Sequence, residues 1–175
     1  MAQRSLIWRV VVCLAFMFLA SCGYRPVGRG EVLTGAERPT LAIPMFANRS
    51  TEIGLESLFA NSFIETFGRS QALRIVARPE NADLVLDGKI ASVAYSSVAY
   101  FNIDRSLVRR VTIRVEVQLT RRSTGKVVWK DQAIVQEDYV FDQTYQESEA
   151  LKNLGVRRGA ATLARKMLDK VLLVI

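Results

Sequence analysis

The chain has 175 residues, of which 24 are basic, 17 are acidic and none is histidine, so its formal net charge is +7. Without histidine, the chain lacks the usual acid–base group near neutral pH and the most common metal ligand of proteins. The carboxylates are scattered, and no glycine-rich phosphate loop precedes a helix. The sequence therefore predicts no catalytic site, no metal site and no cofactor.

The first 21 residues have the layout of a secretion signal. Arg4 and Arg9 form a short positive segment, and an almost wholly apolar stretch follows from Val10 to Ala20. A membrane-spanning helix needs about 20 apolar residues, and this stretch is much shorter. We therefore expect residues 1–21 to be a cleaved signal peptide, although a short membrane anchor is an alternative.

The end of this signal resembles the lipobox of bacterial lipoproteins, with the sequence Leu19, Ala20, Ser21 and Cys22. In that motif the small residues admit the peptidase, and the cysteine thiol accepts the lipid. We expect Cys22 to be the acylated first residue of the mature chain. Gly23 in place of aspartate indicates, by resemblance to enterobacterial sorting, the periplasmic side of the outer membrane. An ordinary secretory signal and inner-membrane sorting remain alternatives.

After Cys22, residues 23–39 hold four glycines and two prolines with few apolar residues. We interpret residues 22–39 as the acylated cysteine and a flexible tether, and residues 40–175 as a single α/β domain. Without Arg4 and Arg9, 22 basic residues face 17 acidic ones. This excess suits an anionic partner, such as a phosphorylated lipid or a membrane surface, or it is an ordinary solvated surface. Export disfavours nucleic acid more than these other partners, so we expect no nucleic acid as a partner.

The domain begins with a predicted strand over Thr40 to Phe46, in which Pro44 restricts the strand to an edge, an end or a bulge. A helix follows, with possible capping oxygens between Asn48 and Thr51 and with Gly68 placed to end it. Its apolar residues recur every three or four positions, which predicts an aromatic core face. These residues are Leu55, Leu58, Phe59, Phe63 and Phe67.

Several strands follow this helix. The pattern predicts a short strand over Leu73 to Val76, a polar turn to Asp83, and a strand from Leu84 with a bulge near Ala91 and Ser92, where the apolar parity changes. Alternation from Arg110 to Thr120 predicts a half-buried strand. Its hairpin partner is predicted over Val127 to Gln136, and Glu137 and Asp138 are interpreted as a loop.

The last element is a predicted helix from about Thr144 to Leu173, loosened in its middle by Gly155 and Gly159. The order of elements predicts an α/β (α+β) fold. We expect a two-layer sandwich, with two helices packed on one face of a mostly antiparallel or mixed four-stranded sheet.

Two features are candidates for binding. The loop between the long strands brings two aromatic residues close to three arginines, which suits an amphiphile with a phosphorylated head. Its residues are Tyr100, Phe101, Arg105, Arg109 and Arg110. The alternative is that the aromatic residues cover the core and the arginines are solvated. The second feature is the set of basic residues on the last helix, most of which suit a solvated face.

Five segments taken in order resemble the LptE-type lipopolysaccharide-assembly lipoproteins. They are Cys22-Gly23-Tyr24, residues 41–49 (LAIPMFANR), residues 82–88 (ADLVLDG), residues 124–129 (TGKVVW) and the closing helix. The resemblance implies a two-layer domain that sits as a plug inside an LptD-type outer-membrane β-barrel. It also implies binding of lipopolysaccharide, with the loop from Tyr100 to Arg105 inside the barrel.

A second class of protein also fits part of the sequence. The stretch from Ile43 to Asn48 resembles periplasmic lipoproteins of the curli-secretion type and activators of cell-wall synthases. Such proteins place α/β domains behind a lipobox and act as a secretion pore or by docking onto a synthase. The identity of the co-purifying partner separates the two classes.

Overall fold

The computed structural model describes residues 38–100, 107–141 and 145–175. Its strands and helices follow one another in the predicted order. The lipobox, the signal and most of the tether lie outside these residues. The strands are β1 (Thr40–Ala42), β2 (Ala47–Asn48), β3 (Arg74–Ile75), β4 (Leu84–Tyr100), β5 (Leu107–Arg121) and β6 (Lys126–Phe141). The helices are α1 (Leu55–Gly68) and α2 (Tyr145–Val171), with a 3₁₀ turn over Pro79–Asn81.

The strands form one mixed sheet in the order β3-β1-β4-β5-β6, with β2 paired to β4. β1 is parallel to both of its neighbours, whereas β4, β5 and β6 are antiparallel to one another. The two helices pack against this sheet, so the predicted α+β sandwich is confirmed. The sheet has six strands instead of the predicted four: β2 was not predicted as a separate strand, whereas β3 lies within the strand predicted over Leu73 to Val76.

The first strand is shorter than predicted. β1 ends at Ala42, and the chain pairs with the sheet again only at Ala47, because Pro44 has no N–H to donate to a strand ladder. α1 begins at Leu55 rather than beside Ser50, since Gly54 occupies the N-cap with a φ of 82°. Its predicted end at Gly68 is confirmed.

The bulge in β4 is confirmed by a shift of register between Ile90 and Ser92. The interpretation of Glu137 and Asp138 as a loop is wrong, because β6 continues to Phe141. Both acids have partners: Asp138 bonds to Arg110 of β5, and Glu137 accepts a hydrogen bond from Thr162 of α2. Because these acids form hydrogen bonds with neighbouring elements, β6 continues beyond the point at which its apolar residues stop alternating.

A cluster of phenylalanines fills the space between α1 and the sheet. The ring centroids of Phe46 and Phe63 are 4.8 Å apart, and those of Phe63 and Phe67 are 5.9 Å apart. All three residues are buried. Gly88 of β4 makes room for this cluster, because a Cβ at that position would lie 2.1 Å from the ring of Phe46.

The two glycines do not interrupt α2, which runs from Tyr145 to Val171, and both lie buried where the helix meets the sheet. A Cβ on Gly159 would lie 2.7 Å from the side chain of Ile113 and 3.3 Å from that of Val135. Gly155 has ordinary spacing, with its nearest neighbours at 3.6 Å. Gly159 therefore permits a close approach of α2 to β5 and β6.

The two ends of the sheet differ. We call the end with the turn between β5 and β6 the hairpin end, and the opposite end, where β4 leads to β5, the loop end. At the hairpin end, Asp83 locks the first strand in place: its Oδ2 accepts hydrogen bonds from the N–H of Thr40 at 2.9 Å and from its hydroxyl at 2.6 Å. The N–H of Asp83 donates in return to the Thr40 hydroxyl at 2.8 Å.

Candidate functional site

The loop end contains the described part of the predicted binding loop. β4 ends at Tyr100, whose backbone pairs with Leu107 at the start of β5. Phe101 and Arg105 lie outside the described residues, so their predicted contacts with an amphiphile stay predictions. Arg109 and Arg110 lie near the start of β5, among its first residues paired with β6.

The two described arginines point to opposite sides of the sheet, because neighbouring side chains alternate along a strand. Arg109 is opposite Tyr139, which is buried on the side of the helices. Arg110 is opposite Ser96 and Asp138, which are exposed on the open side of the sheet. The sequence places these arginines side by side, but the strand separates their charges.

Arg110 is held by a two-pronged contact with Asp138. Its Nε donates to Oδ1 at 2.6 Å and its NH2 donates to Oδ2 at 2.9 Å. Because hydrogen bonds from Arg110 stabilise the carboxylate, the pKa of Asp138 is lowered. A phosphate that binds Arg110 must share the guanidinium with this carboxylate or displace it.

Beneath the loop end lies a group of five side chains that we call the polar cluster. It consists of Glu52, Tyr95, Tyr139, Glu149 and Lys152. The Nζ of Lys152 lies 2.7 Å from a carboxylate oxygen of Glu149, 3.8 Å from one of Glu52, and 5.5 Å from the ring centroid of Tyr95. The rings of Tyr95 and Tyr139 meet edge to face at 6.4 Å. This cluster joins β4, β6, the segment before α1 and the start of α2.

The hydroxyl of Tyr95 is buried and makes no hydrogen bond of ordinary geometry within the described part of the chain, although the Glu52 carboxylate lies near it. Burial, followed by the charge of Glu52, strongly raises the pKa of Tyr95. The phenol is therefore neutral across the physiological range and retains a proton to donate. It supplies a polar group at the loop end without supplying a base or a nucleophile.

Over residues 38–100, 107–141 and 145–175, no group of three or more potential metal ligands comes together. In the same residues, no helix is long and apolar enough to cross a membrane. The predicted lipid-attachment residue Cys22 and the lipobox residues Leu19, Ala20 and Ser21 lie outside the described part, so their roles stay predictions.

The sequence did not reveal Asp138 or the polar cluster as parts of this end of the molecule. Arg110 and Asp138 are 28 residues apart and meet only through the register of β5 and β6. The members of the polar cluster come from four separate segments. One signal was present: Asp138 continues the parity of the exposed positions of β6, which suggests a strand instead of a loop.

Solved structures similar to this chain share its fold. Rare lipoprotein B from Shewanella oneidensis is 16% identical, with a TM-score of 0.50, and the match covers 76% of this chain and 93% of that one. A protein from Xanthomonas campestris is 14% identical, with a TM-score of 0.53 and coverage of 79% and 86%. A hypothetical protein from Chlamydia trachomatis is 12% identical, with a TM-score of 0.53 and coverage of 77% and 96%. At these identities the likeness concerns the fold alone.

No curated protein matches the sequence of this chain. The family model LptE, described as lipopolysaccharide-assembly, matches residues 38–171. This range runs from just before β1 to the end of α2 and therefore contains the whole sandwich. The chain thus belongs to the LptE family of lipopolysaccharide-assembly lipoproteins, as its resemblance to that family predicts.

Proposed function

We propose that this chain is an outer-membrane lipoprotein that works with an LptD-type β-barrel to deliver lipopolysaccharide to the outer leaflet. In this proposal residues 1–21 are removed as a signal peptide, and acylated Cys22 attaches the chain on the periplasmic side. Residues 22–39 act as a tether, and the domain over residues 40–175 occupies the lumen of the barrel as a plug and assembly factor.

The observation that supports this proposal is the LptE match over residues 38–171, which includes every helix and strand of the described fold. The lipobox sequence from Leu19 to Cys22 adds a means of attachment. With a hydrophobic gain of roughly 0.8 kcal/mol per buried methylene, two or three acyl chains hold a protein on a membrane without a spanning helix.

The proposed mechanism depends on position and shape and involves no bond-making by this chain. The domain supports the barrel, and the loop end presents aromatic and cationic groups to the amphiphile. The proposed lipopolysaccharide contacts are Tyr100, Phe101, Arg105, Arg109 and Arg110. Arginine suits this task because its planar guanidinium binds a phosphate through two hydrogen bonds. Arg110 forms an ion pair with Asp138, so it contributes less to the binding of phosphate than an unpaired arginine would.

Purification of the tagged full chain from detergent-solubilised membranes tests the partner. We expect a large outer-membrane barrel to co-purify with it, together with lipopolysaccharide. Recovery of a cell-wall synthase, or of a homo-oligomeric ring, would overturn the proposal in favour of the curli-secretion or synthase-activator class.

Substitution of Arg105, Arg109 and Arg110 by alanine tests the binding loop. We expect weaker binding of lipopolysaccharide, with a reduced dependence on salt, because fewer cations face the phosphates. A matched control replaces the exposed Arg157, Arg158 and Lys166 of α2, which removes the same charge elsewhere. Equal binding by the loop variant and the parent chain would exclude the loop as the contact.

Replacement of the acylated residue, Cys22→Ser, tests the anchor. We expect the domain to fold but to leave the membrane fraction in a barrel-depleted strain. Circular dichroism checks the fold, and fractionation checks the location. Firm retention of the variant without the barrel would show that acylation at Cys22 is not the means of attachment.

A further inference from the structure

The hairpin end carries a set of exposed basic side chains that the proposed function does not use. They are Arg38, Arg74, Arg121, Arg122 and Lys126, and we call them the basic rim. They come from four places in the sequence: the segment before β1, the start of β3, the end of β5 with its turn, and the start of β6. Only the fold gathers them at one end.

Backbone contacts fix the rim around the point where the chain enters the sheet. The N–H of Arg74 donates to the carbonyl of Pro39 at 3.1 Å. The N–H of Arg122 donates to the carbonyl of Asp83 at 2.9 Å, and its Nε donates to the carbonyl of Ala82 at 2.7 Å. Arg121 pairs with Leu84 on one side and with Lys126 on the other. The rim therefore runs across the hairpin end of the sheet, from β3 past Thr40, the first residue of β1, to β6.

In the part of the chain that the structure describes, the rim gathers basic side chains without ion pairs, whereas some cations elsewhere on the sheet are paired with acids. On the open side, Lys89 pairs with Glu116 at 2.5 Å, and Arg110 pairs with Asp138. Within the described residues, no ion pair engages Arg38, Arg74, Arg121 or Lys126. The nearby Asp83 carboxylate, which accepts hydrogen bonds from Thr40, attracts Arg122 and Arg74 and offsets only one of the five positive charges. The rim thus keeps an excess of positive charge exposed to solvent.

We propose that the basic rim docks onto the anionic phospholipid surface of the membrane and so orients the tethered domain. This inference rests on the proposed acylation of Cys22. Eighteen residues separate the anchor from the fold if both Cys22 and Pro39 are counted. If these residues act as the proposed tether, a flexible chain of that length would span on average about 25 Å and would keep the hairpin end close to the bilayer. At this range even weak attraction by several cations fixes an orientation.

The consequence is that the loop end is held away from the bilayer that carries the anchor. β5 has 15 residues between its two ends. At a rise of about 3.3 Å per residue, this strand separates the two ends of the sheet by roughly 45 Å. The loop end then faces the periplasm before the domain meets its partner, whereas a domain without the rim would tumble on its tether.

The test measures orientation on vesicles that contain neither lipopolysaccharide nor a barrel. The acylated mature chain has no free thiol in the proposal, because Cys13 is removed and Cys22 is acylated. A single reporter cysteine is therefore introduced as Ser123→Cys at the hairpin end or as Gln136→Cys in β6 towards the loop end. Each is labelled with a fluorophore, and the vesicles hold phosphatidylcholine, phosphatidylglycerol and a headgroup-attached quencher.

We expect strong quenching of the label at residue 123 and weak quenching of the label at residue 136. The rim variant Arg74→Gln/Arg121→Gln/Lys126→Gln should abolish this difference, because three cations at an anionic surface favour the bound orientation by about 100-fold. Salt at 1 M should abolish it too, since screening then acts within about 3 Å. The control variant Arg157→Gln/Arg158→Gln/Lys166→Gln should preserve the difference.

Two results would overturn the inference alone: equal quenching of the two labels in the parent chain, or the same loss of orientation in the rim variant and in the control variant. Thermal unfolding of each variant shows whether the fold is retained. Failure of the parent chain to sediment with the vesicles would instead remove the anchor at Cys22, and would overturn the proposed attachment together with the orientation.

Discussion

The space under α1 and the space under the start of α2 are filled in different ways. Under α1, phenylalanine rings pack against one another and against Gly88, with no charged group among them. Under the start of α2, Lys152, two glutamates and two tyrosines form the polar cluster, and one hydroxyl is left without a partner. The apolar layer stabilises the fold by burial alone, whereas the polar cluster depends on pairing among its charged and polar groups. Substitutions in these two regions should therefore change the free energy of unfolding by different amounts and in different directions.

The substitution Phe63→Ala should have the largest effect on stability. Phe63 is fully buried and contacts two other rings, so its removal leaves a cavity that costs about 4 kcal/mol in the free energy of unfolding. The neighbouring Ile64, which is 36% exposed, provides the control as Ile64→Ala. Urea unfolding measures both. A loss of less than about 1 kcal/mol for Phe63→Ala would contradict the assignment of this layer as the main source of stability.

The substitution Gly159→Ala should come second. Alanine favours a helix over glycine by about 1 kcal/mol, but the added Cβ meets Ile113 and Val135 and forces α2 away from the sheet, which costs about 2 kcal/mol. The control Gly155→Ala meets only ordinary contacts, so it should be neutral or stabilising. If the two variants unfold at the same urea concentration, the close approach at Gly159 does not constrain the helix.

The substitution Tyr95→Phe should have a smaller effect of the opposite sign. It removes a buried hydroxyl that lacks a partner and keeps the edge-to-face contact with Tyr139. We expect the free energy of unfolding to rise by about 1 kcal/mol. Tyr95→Leu, which loses the ring contact as well, is the comparison variant. Destabilisation by Tyr95→Phe would show that the hydroxyl has a bonded partner in solution.

The substitution Asp83→Asn should have the smallest effect, and this effect depends on pH. Hydrogen bonds from Thr40, with help from Arg122 and Arg74, lower the pKa of Asp83 below its ordinary value of 3.8. The charged carboxylate therefore stabilises the fold above that value, and this contribution is lost as the pH falls through the lowered pKa. The parent chain should exceed Asp83→Asn in unfolding midpoint at pH 7, and the difference should disappear towards pH 2. A difference that does not change with pH would assign the effect to shape alone.

Periodicity in the sequence predicts the large elements because their packing follows the same period. The aromatic face of α1, the alternation in β5 and the change of parity in β4 all appear in the structure. β3 lies within the strand predicted over Leu73 to Val76, whereas β2 was harder to predict as a separate strand, because two residues carry no period. Their pairing depends on the positions of neighbouring strands rather than on local preference.

The details of the loop end were not predictable for a different reason. Arg109 and Arg110 look like one cationic pair in the sequence, and their separation becomes visible only when residues around position 110 are assigned to a strand. The contact with Asp138 requires the register of two strands. Likewise, glycines in a helix reduce its propensity, and only the tertiary structure reveals that Gly159 permits close packing.

If the chain is exported as proposed, the position of β1 also has a consequence for the order of folding. β1 lies between β3 and β4, and its partners Arg74 and Leu84 are 34 and 43 residues further along the chain. If the chain emerges from the secretion channel amino terminus first, this inner strand has no partner until those residues follow. A hairpin of β5 and β6, whose strands are joined by a short turn, can close without waiting. The first strand to emerge is therefore among the last to be secured in the sheet.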